Sequence, residues 1–338
     1  MSKDVKLFAI KVACLVLLLI LSLGFIKFLI DPLGLFREDC NVHQIGTDQR
    51  HIKMKLLLQH KINKHSFIWG SSRVEAIHTQ NNINFKQFYN MTYGSGLPQQ
   101  HLEDLKVLLD HGIKIEALAI GLDDVSYLLD NHPQYSGYLL SKLRFFSVPY
   151  LGVYYSNYLF RPFDIVTYFD SVKVEDYDFY NGGSGCSTSR ELWIETHPKE
   201  HVMDPVFTHS ISHSNYRERI DFTIDVLKQI QSLCAKNHIQ FTVFINPMHV
   251  TTYKSQNMKD YFRFLKELSL MTDFYDFSGI NRITTHNYYY YEICHYRPMV
   301  GDMIIKRLLE EKNNNGEFGF YCTSKNIDAH IAQLKSEL

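Results

Sequence analysis

The chain carries almost no net charge. Its 35 Lys and Arg are balanced by 36 Asp and Glu, a formal charge of -1, and no stretch concentrates the basic residues. A phosphate-binding surface for nucleic acid therefore has no electrostatic basis. Cysteine is sparse as well. Cys14 falls in an apolar segment, and the five others, Cys40, Cys186, Cys234, Cys294 and Cys322, are odd in number and without ligand-like spacing. That pattern argues against zinc and permits one or two disulfides in an exported domain. What the chain does have is apolar mass. With 45% hydrophobic residues in a length of 338, it can bury a sizeable core, and its 22 Tyr and 23 Phe suit an aromatic-lined cleft without singling out a ligand.

The N-terminus differs in kind from the rest. Residues 12–26, "VACLVLLLILSLGFI", are free of charge, and the apolar segment extends over 7–30 if Lys11 and Lys27 snorkel toward the two interfaces. That is long enough to cross a bilayer. No small-x-small cleavage pattern follows it, so the segment reads as an uncleaved signal anchor. The basic flank favours a cytoplasmic N-terminus over residues 1–6. The expectation is a single-pass protein of the cytoplasmic (inner) membrane, with the bilayer as one partner and the remaining chain extracytoplasmic.

Residues 31–64 read as a connector containing a helical piece near 52–60, and an α/β domain follows over 65–338. Short apolar runs at 65–69, 85–91, 117–121, 239–245 and 274–277, bounded by Gly, Asn, Pro or Ser, predict strands. Helical spacing predicts helices over 99–111, 215–236 and 298–311, the last opened by Pro298. Alternating strands and helices imply a central parallel sheet covered on both faces, a three-layer sandwich. The interval 130–214 breaks the alternation; rich in Tyr, Phe, Gly and Ser, it reads as an insertion over the active end of the sheet.

The stretch "SFIWGSSRVEAI" runs from the first strand into Gly70, Ser71 and Ser72. Glycine permits a sharp turn at the carboxyl end of a strand, where open parallel sheets bind ligands. A serine there is either presented to solvent or simply caps the next helix. Near the other end, "YYEICHYRPMVGD" places Glu292 three residues before His295. One turn could then present both groups, the carboxylate fixing the imidazole that takes a serine proton. Asn90, Gly94 and Gly96 follow the second strand, and Gly121 and Asp123 end the third; glycine amides at such places can approach a developing oxyanion. Asn246 and His249 end the fourth strand at the same edge, where they could line a cleft. His201, His209 and His213 lie in the irregular insertion without acids at metal spacing and read as solvated loop residues. Asn90 also begins the sequon "NMT", but its place after a buried strand disfavours glycosylation.

This order of blocks, Gly-x-Ser, then Asn with Gly, then Gly-x-Asp, then acid-x-x-His before the last helix, resembles the SGNH/GDSL hydrolase superfamily over roughly 66–311. The likeness is greatest to membrane-anchored extracytoplasmic members that move acyl groups on envelope polymers, such as the alginate O-acetylation proteins and the teichoic acid D-alanyl transfer protein. The resemblance implies Ser72 as nucleophile, His295 as base and Glu292 as orienting acid. The backbone amides of Ser72 and of Gly94 or Gly96 would form the oxyanion hole, with Asp123 where many members have an Asn donor, and Asn90, Asn246 and His249 would face substrate. An ionised Asp cannot donate, so Asp123 is either protonated or has another purpose. The activity that the resemblance implies is a serine acyl esterase or O-acyltransferase on an envelope glycan, needing no cofactor and open to service by a membrane acyltransferase partner. The alternative is a degraded member acting as a scaffold in an envelope-assembly complex.

Overall fold

In the computed structural model, residues 3–31, 35–36, 48–80, 87–128, 142–160, 176–209, 218–310, 312, 314 and 318–338 are described. Contacts divide the chain into two units, Met1–Asp48 with Pro133–Val174, and Gln49–His132 with Glu175–Leu338. In chain order the elements up to the third strand are helix α1 (Lys3–Ile30), α2 (Gln49–Leu58), β1 (Ser66–Trp69), a 3-10 turn (Ser72–Ala76), β2 (Phe88–Asn90), α3 (Pro98–Asp110) and β3 (Ala117–Leu122). Then come α4 (Asp124–Leu128), α5 (Val148–Phe160), β4 (Asp176–Tyr177), β5 (Gly185–Cys186), α6 (Thr188–Thr196), α7 (Pro198–Val202) and α8 (Ile220–Lys236). The last third holds β6 (Gln240–Ile245), α9 (Val250–Ser255), α10 (Met258–Met271), β7 (Phe274–Asp276), α11 (Pro298–Leu309), β8 (Phe320–Cys322) and α12 (Ile327–Ser336).

The first unit contains α1, which is long and apolar enough to cross a membrane and whose residues are exposed except for the buried Gly24 and Lys27 and the half-buried Ile30. Lys27 does not snorkel. Its ammonium donates to the Tyr158 carbonyl at 2.7 Å, close to the carboxyl end of α5, where the helix dipole favours a cation.

The second unit is built on a six-stranded sheet of order β2-β1-β3-β6-β7-β8. The first five strands are parallel; β8 runs antiparallel to β7, with Phe274 opposite Cys322. The sheet is therefore mixed rather than wholly parallel, an antiparallel edge strand being a common addition to such sheets. The three residues "FYC" of β8 are too few to show alternation in sequence. The strands are apolar runs because both faces are covered. Ile68, Ala119, Phe244 and Tyr275 join Val300, Ile304 and Ile305 of α11 in one core, while Trp69 stacks on His101 of α3 on the other side.

Part of the expected connector belongs to this core. Seven residues of α2 are buried, Lys53 donates to the Thr92 carbonyl at 2.6 Å, and Arg50 pairs with Asp104 at 2.7 Å. Of the expected insertion, 130–132, 133–141, 161–175 and 210–214 lie outside the described residues. The segment 187–208 is helical and anchored on the loop 287–297, through Arg297 to Glu191 at 2.8 Å, Asn287 to the Val202 carbonyl at 2.8 Å, and His201 to the Tyr290 carbonyl at 2.8 Å. His201 is thus a buried anchor, not a solvated loop residue, whereas His209 is exposed. His213 lies outside the described residues. Cys14, Cys234, Cys294 and Cys322 are free thiols, so no disulfide joins any of these four.

Candidate active site

The carboxyl ends of β1, β3 and β6 lie in register, Trp69 opposite Ile120 and Leu122 opposite Ile245. Residues just beyond them therefore meet at one sheet edge. The turn after β1 is tight because its neighbours are close. A Cβ on Gly70 would stand 2.5 Å from Val74 Cγ2 and 2.8 Å from the Gly121 carbonyl, and one on Gly121 would meet the same Val74 carbon at 2.5 Å. Only glycine lets the two strand ends and the 3-10 turn pack this closely.

The two serines divide the two roles foreseen for them. Ser71 is buried, accepts from the Arg73 amide as N-cap of the 3-10 turn, and donates its hydroxyl to Asp123 Oδ2 at 2.6 Å. Ser72 is partly exposed, with Oγ 2.8 Å from His295 Nε2. On the far side of the ring, Nδ1 meets Glu292 Oε1 in a short hydrogen bond. The Glu292 carboxylate also accepts the Cys294 amide at 2.8 Å and the His295 amide at 2.9 Å, so the acid folds back over its own turn. Burial alone would raise its pKa; the hydrogen bond and charge of His295 and the two amides outweigh that and hold it below the usual carboxylate range. An ionised carboxylate only accepts. Nδ1 therefore carries the ring proton, and Nε2 presents its lone pair to the Ser72 hydroxyl.

A fold-wide brace holds the histidine turn against the serine turn. The bridge between Tyr290 and Tyr296 closes the base of the loop, and the Tyr291 amide donates to the His295 carbonyl at 2.8 Å. Gly301 lets α11 lie on the serine turn, since a Cβ there would be 2.7 Å from the Ala76 carbonyl. Arg73 is buried at the junction. Its Nε donates to the Cys294 carbonyl at 3.1 Å, and NH1 pairs with Asp124 in a short contact and with Asp123 Oδ1 at 3.1 Å. Burial opposes its charge, but Asp124 and Asp123 more than offset this and keep it protonated. Arg73 and Asp124 carry no signal of this role in the sequence beyond their place next to strand ends. Cys294, beside His295, is no rival nucleophile, because burial pushes its thiol up to about 11 against the pull of Arg73.

Several residues expected at the site have other work. Asp123 is a buried acceptor, taking the Ser71 hydroxyl, the Val125 amide at 3.0 Å, the Asn246 amide at 3.3 Å and the Arg73 ion pair. It is not placed as an oxyanion donor. Gly96 gives its amide to the Tyr93 carbonyl at 3.0 Å and packs on the Gly70 carbonyl, whereas Gly94 is exposed, with open space where a Cβ would stand. Asn90 is fully buried: its amide donates to the Val74 and Ile77 carbonyls at 2.9 and 3.0 Å, and its oxygen accepts from the Thr92 amide at 3.0 Å. Asn246 is buried between Asp123 and the Tyr296 hydroxyl, and His249 bridges Asn287 and the Thr251 amide. Asn90, Asn246 and His249 thus brace the strand ends instead of facing substrate.

A weakened oxyanion donor would keep or gain activity on becoming Asn, whereas this environment predicts a loss. Asp123→Asn places two amide hydrogens among Asn246, Val125 and Arg73, all donors, and removes one carboxylate from Arg73. The folded variant is expected to lose about 1–3 kcal/mol of stability in urea unfolding and to fall in esterase activity; equal or higher activity would restore the oxyanion role.

Among the described residues, one grouping could hold a metal ion, Asp276, Cys322 and His330, with ligand atoms within 4.8 Å of one another. It is buried at β7, β8 and α12, and His330 Nε2 already bonds Asp276 Oδ2 at 2.9 Å while Phe320 stacks on the imidazole. It shares no residue with the Ser72 site. No protein-family model matches this chain, and no curated protein matches it.

Proposed function

We propose that the protein is a membrane-tethered serine acyl esterase or O-acyltransferase. The observation that carries the reading is the continuous hydrogen-bonded chain from Ser72 Oγ through His295 to Glu292. In this mechanism Nε2 of His295 takes the Ser72 proton as Oγ attacks an ester carbonyl, and Glu292 stabilises the imidazolium that forms. The Ser72 and Gly94 amides receive the oxyanion. Collapse of the tetrahedral intermediate expels the alcohol, which takes the proton from His295 and leaves an acyl-serine. Water or a sugar hydroxyl, deprotonated in turn by His295, then attacks this ester and frees Ser72.

The choice of an envelope polysaccharide as acceptor, and of an extracytoplasmic side for the α/β unit, rests on the SGNH resemblance and on α1. The scaffold alternative follows from Asp123 as a defective oxyanion donor; an Asp123 that orients Ser71, Arg73 and Asn246 is compatible with a working site. A fluorophosphonate probe separates the two. Wild type is expected to label at one site, Ser72, and Ser72→Ala to remain unlabelled with an unchanged circular dichroism spectrum. A folded wild type that resists the probe would favour the scaffold.

A further inference from the structure

Helix α5 is 13 residues long, "VPYLGVYYSNYLF", and contains no charged side chain. Tyr150 is its one buried residue, while Val148 is 83% and Phe160 48% exposed. Leu151, Val153, Tyr154, Tyr155, Tyr158 and Leu159 are half-buried, and an uncharged helix that leaves this much apolar surface partly uncovered is a poor surface to leave in water.

Its contacts with the end of α1 and with the residues that follow it run in a consistent order. From the amino end, Tyr154 donates to Asp48 at 3.0 Å, and Tyr155 packs on Phe36 at 5.2 Å. Tyr158 then reaches Phe36, the Asp31 carboxylate at 3.4 Å and the Lys27 ammonium, which stands 5.3 Å from its ring. Phe160 ends at Gly24, where an added Cβ would be 3.0 Å from its ring. The helix is therefore antiparallel to the end of α1, and its last turn passes the first charge after the apolar segment, Asp31. It reaches a level about 9 Å inside the end of α1, six residues at 1.5 Å each. Its aromatics mark the boundary. Tyr154 and Tyr158 direct hydroxyls to the acids at the polar end, as tyrosines do at a membrane interface. Lys27, at the deeper level, is satisfied by a backbone carbonyl and a ring, the pairing an ammonium requires in that medium.

We propose that α5 is a second membrane element, lying in the interfacial layer of the bilayer with its carboxyl end dipping into the acyl region beside α1. At about 20 Å it is too short to span a hydrocarbon core of about 30 Å. Its exposed apolar residues continue the lipid-compatible surface of α1, where Leu23, Phe25 and Ile26 are also exposed. This proposal rests on α1 crossing a bilayer and is independent of the Ser72 chemistry.

The test uses the full chain reconstituted in bilayers of phosphatidylcholine and phosphatidylglycerol. The photo-crosslinking residue p-benzoylphenylalanine is placed singly at Ser156, at Phe160, at Leu17 within α1 and at Leu270 on the α/β unit, and lipid adducts are read by mass spectrometry. Adduct yields at Ser156 and Phe160 are expected within about threefold of Leu17 and roughly tenfold or more above Leu270, as for residues at membrane depth. Lipid adducts at Leu17 with none at Ser156 and Phe160 would overturn the proposal while leaving the span intact. Absence of lipid adducts at Leu17 would remove the span and the proposal together. Either result leaves the fluorophosphonate experiment at Ser72 unaffected.

Discussion

Replacing Ser72 by Ala is expected to lower kcat for hydrolysis of a simple acetyl ester by roughly 10^4 to 10^6, because the acyl-enzyme route is lost and only oxyanion and binding effects remain. His295→Ala should cost a comparable factor, since without Nε2 the hydroxyl has no base. The informative variant is the double one. Serine and histidine act as a unit, so Ser72→Ala/His295→Ala should be no slower than either single variant. Glu292→Gln has one acceptor oxygen where the carboxylate uses two, Oε2 for the Cys294 amide and Oε1 for the His295 amide and Nδ1, so its NH2 faces either the Cys294 amide or the His295 amide together with Nδ1, and the charge that stabilises the imidazolium is lost either way. A loss of about 10^4 in kcat, with little change in KM, is expected for that change. Steady-state assays on the membrane-reconstituted chain, with circular dichroism as a folding check, would decide the matter. Full activity in folded Ser72→Ala would end the acyl-serine mechanism, and multiplied losses in the double variant would mean that the two residues act separately.

The largest effect on stability is expected at Arg73. Arg73→Met keeps the length and apolar stem but leaves Asp123 and Asp124, both buried, without their cation. Breaking one side of a buried ion pair costs about 3–5 kcal/mol, a large share of a typical domain stability of about 5–15 kcal/mol. Urea unfolding should show a lower midpoint with an unchanged slope. The same change frees the Cys294 carbonyl, so His295 loses the tie that holds its turn against Ser72. Adding Asp124→Asn removes one of the two buried carboxylates that paired with Arg73 and should recover part of the lost stability without recovering activity, because the bond to Cys294 stays broken. If Arg73→Met is as stable as wild type, the buried charges are compensated elsewhere. If it is unstable yet fully active at low temperature, Arg73 serves the fold and not the position of His295.

Much of this was written in the linear sequence, and for physical reasons. Strands buried on both faces must be continuous apolar runs, so β1, β3 and β6 stood out. Gly70 marked a turn where no side chain fits, and the spacing of Glu292 and His295 is local, so one turn sets both groups. The length and apolarity of α1 are likewise properties of the chain itself. What the tertiary structure decided depends on pairs far apart in sequence. Whether Ser71 or Ser72 faces the imidazole is set by Asp123, which takes the hydroxyl of Ser71 from across the sheet edge. That Asp123 accepts rather than donates follows from Arg73, Asn246 and Val125 converging on it. The antiparallel β8 is too short to announce itself, and its direction is fixed by pairing with β7. Polar residue type alone could not tell a side chain that faces a ligand from one that satisfies buried backbone, and so Asn90, Asn246 and His249 pointed to substrate in the sequence while the fold uses them as braces.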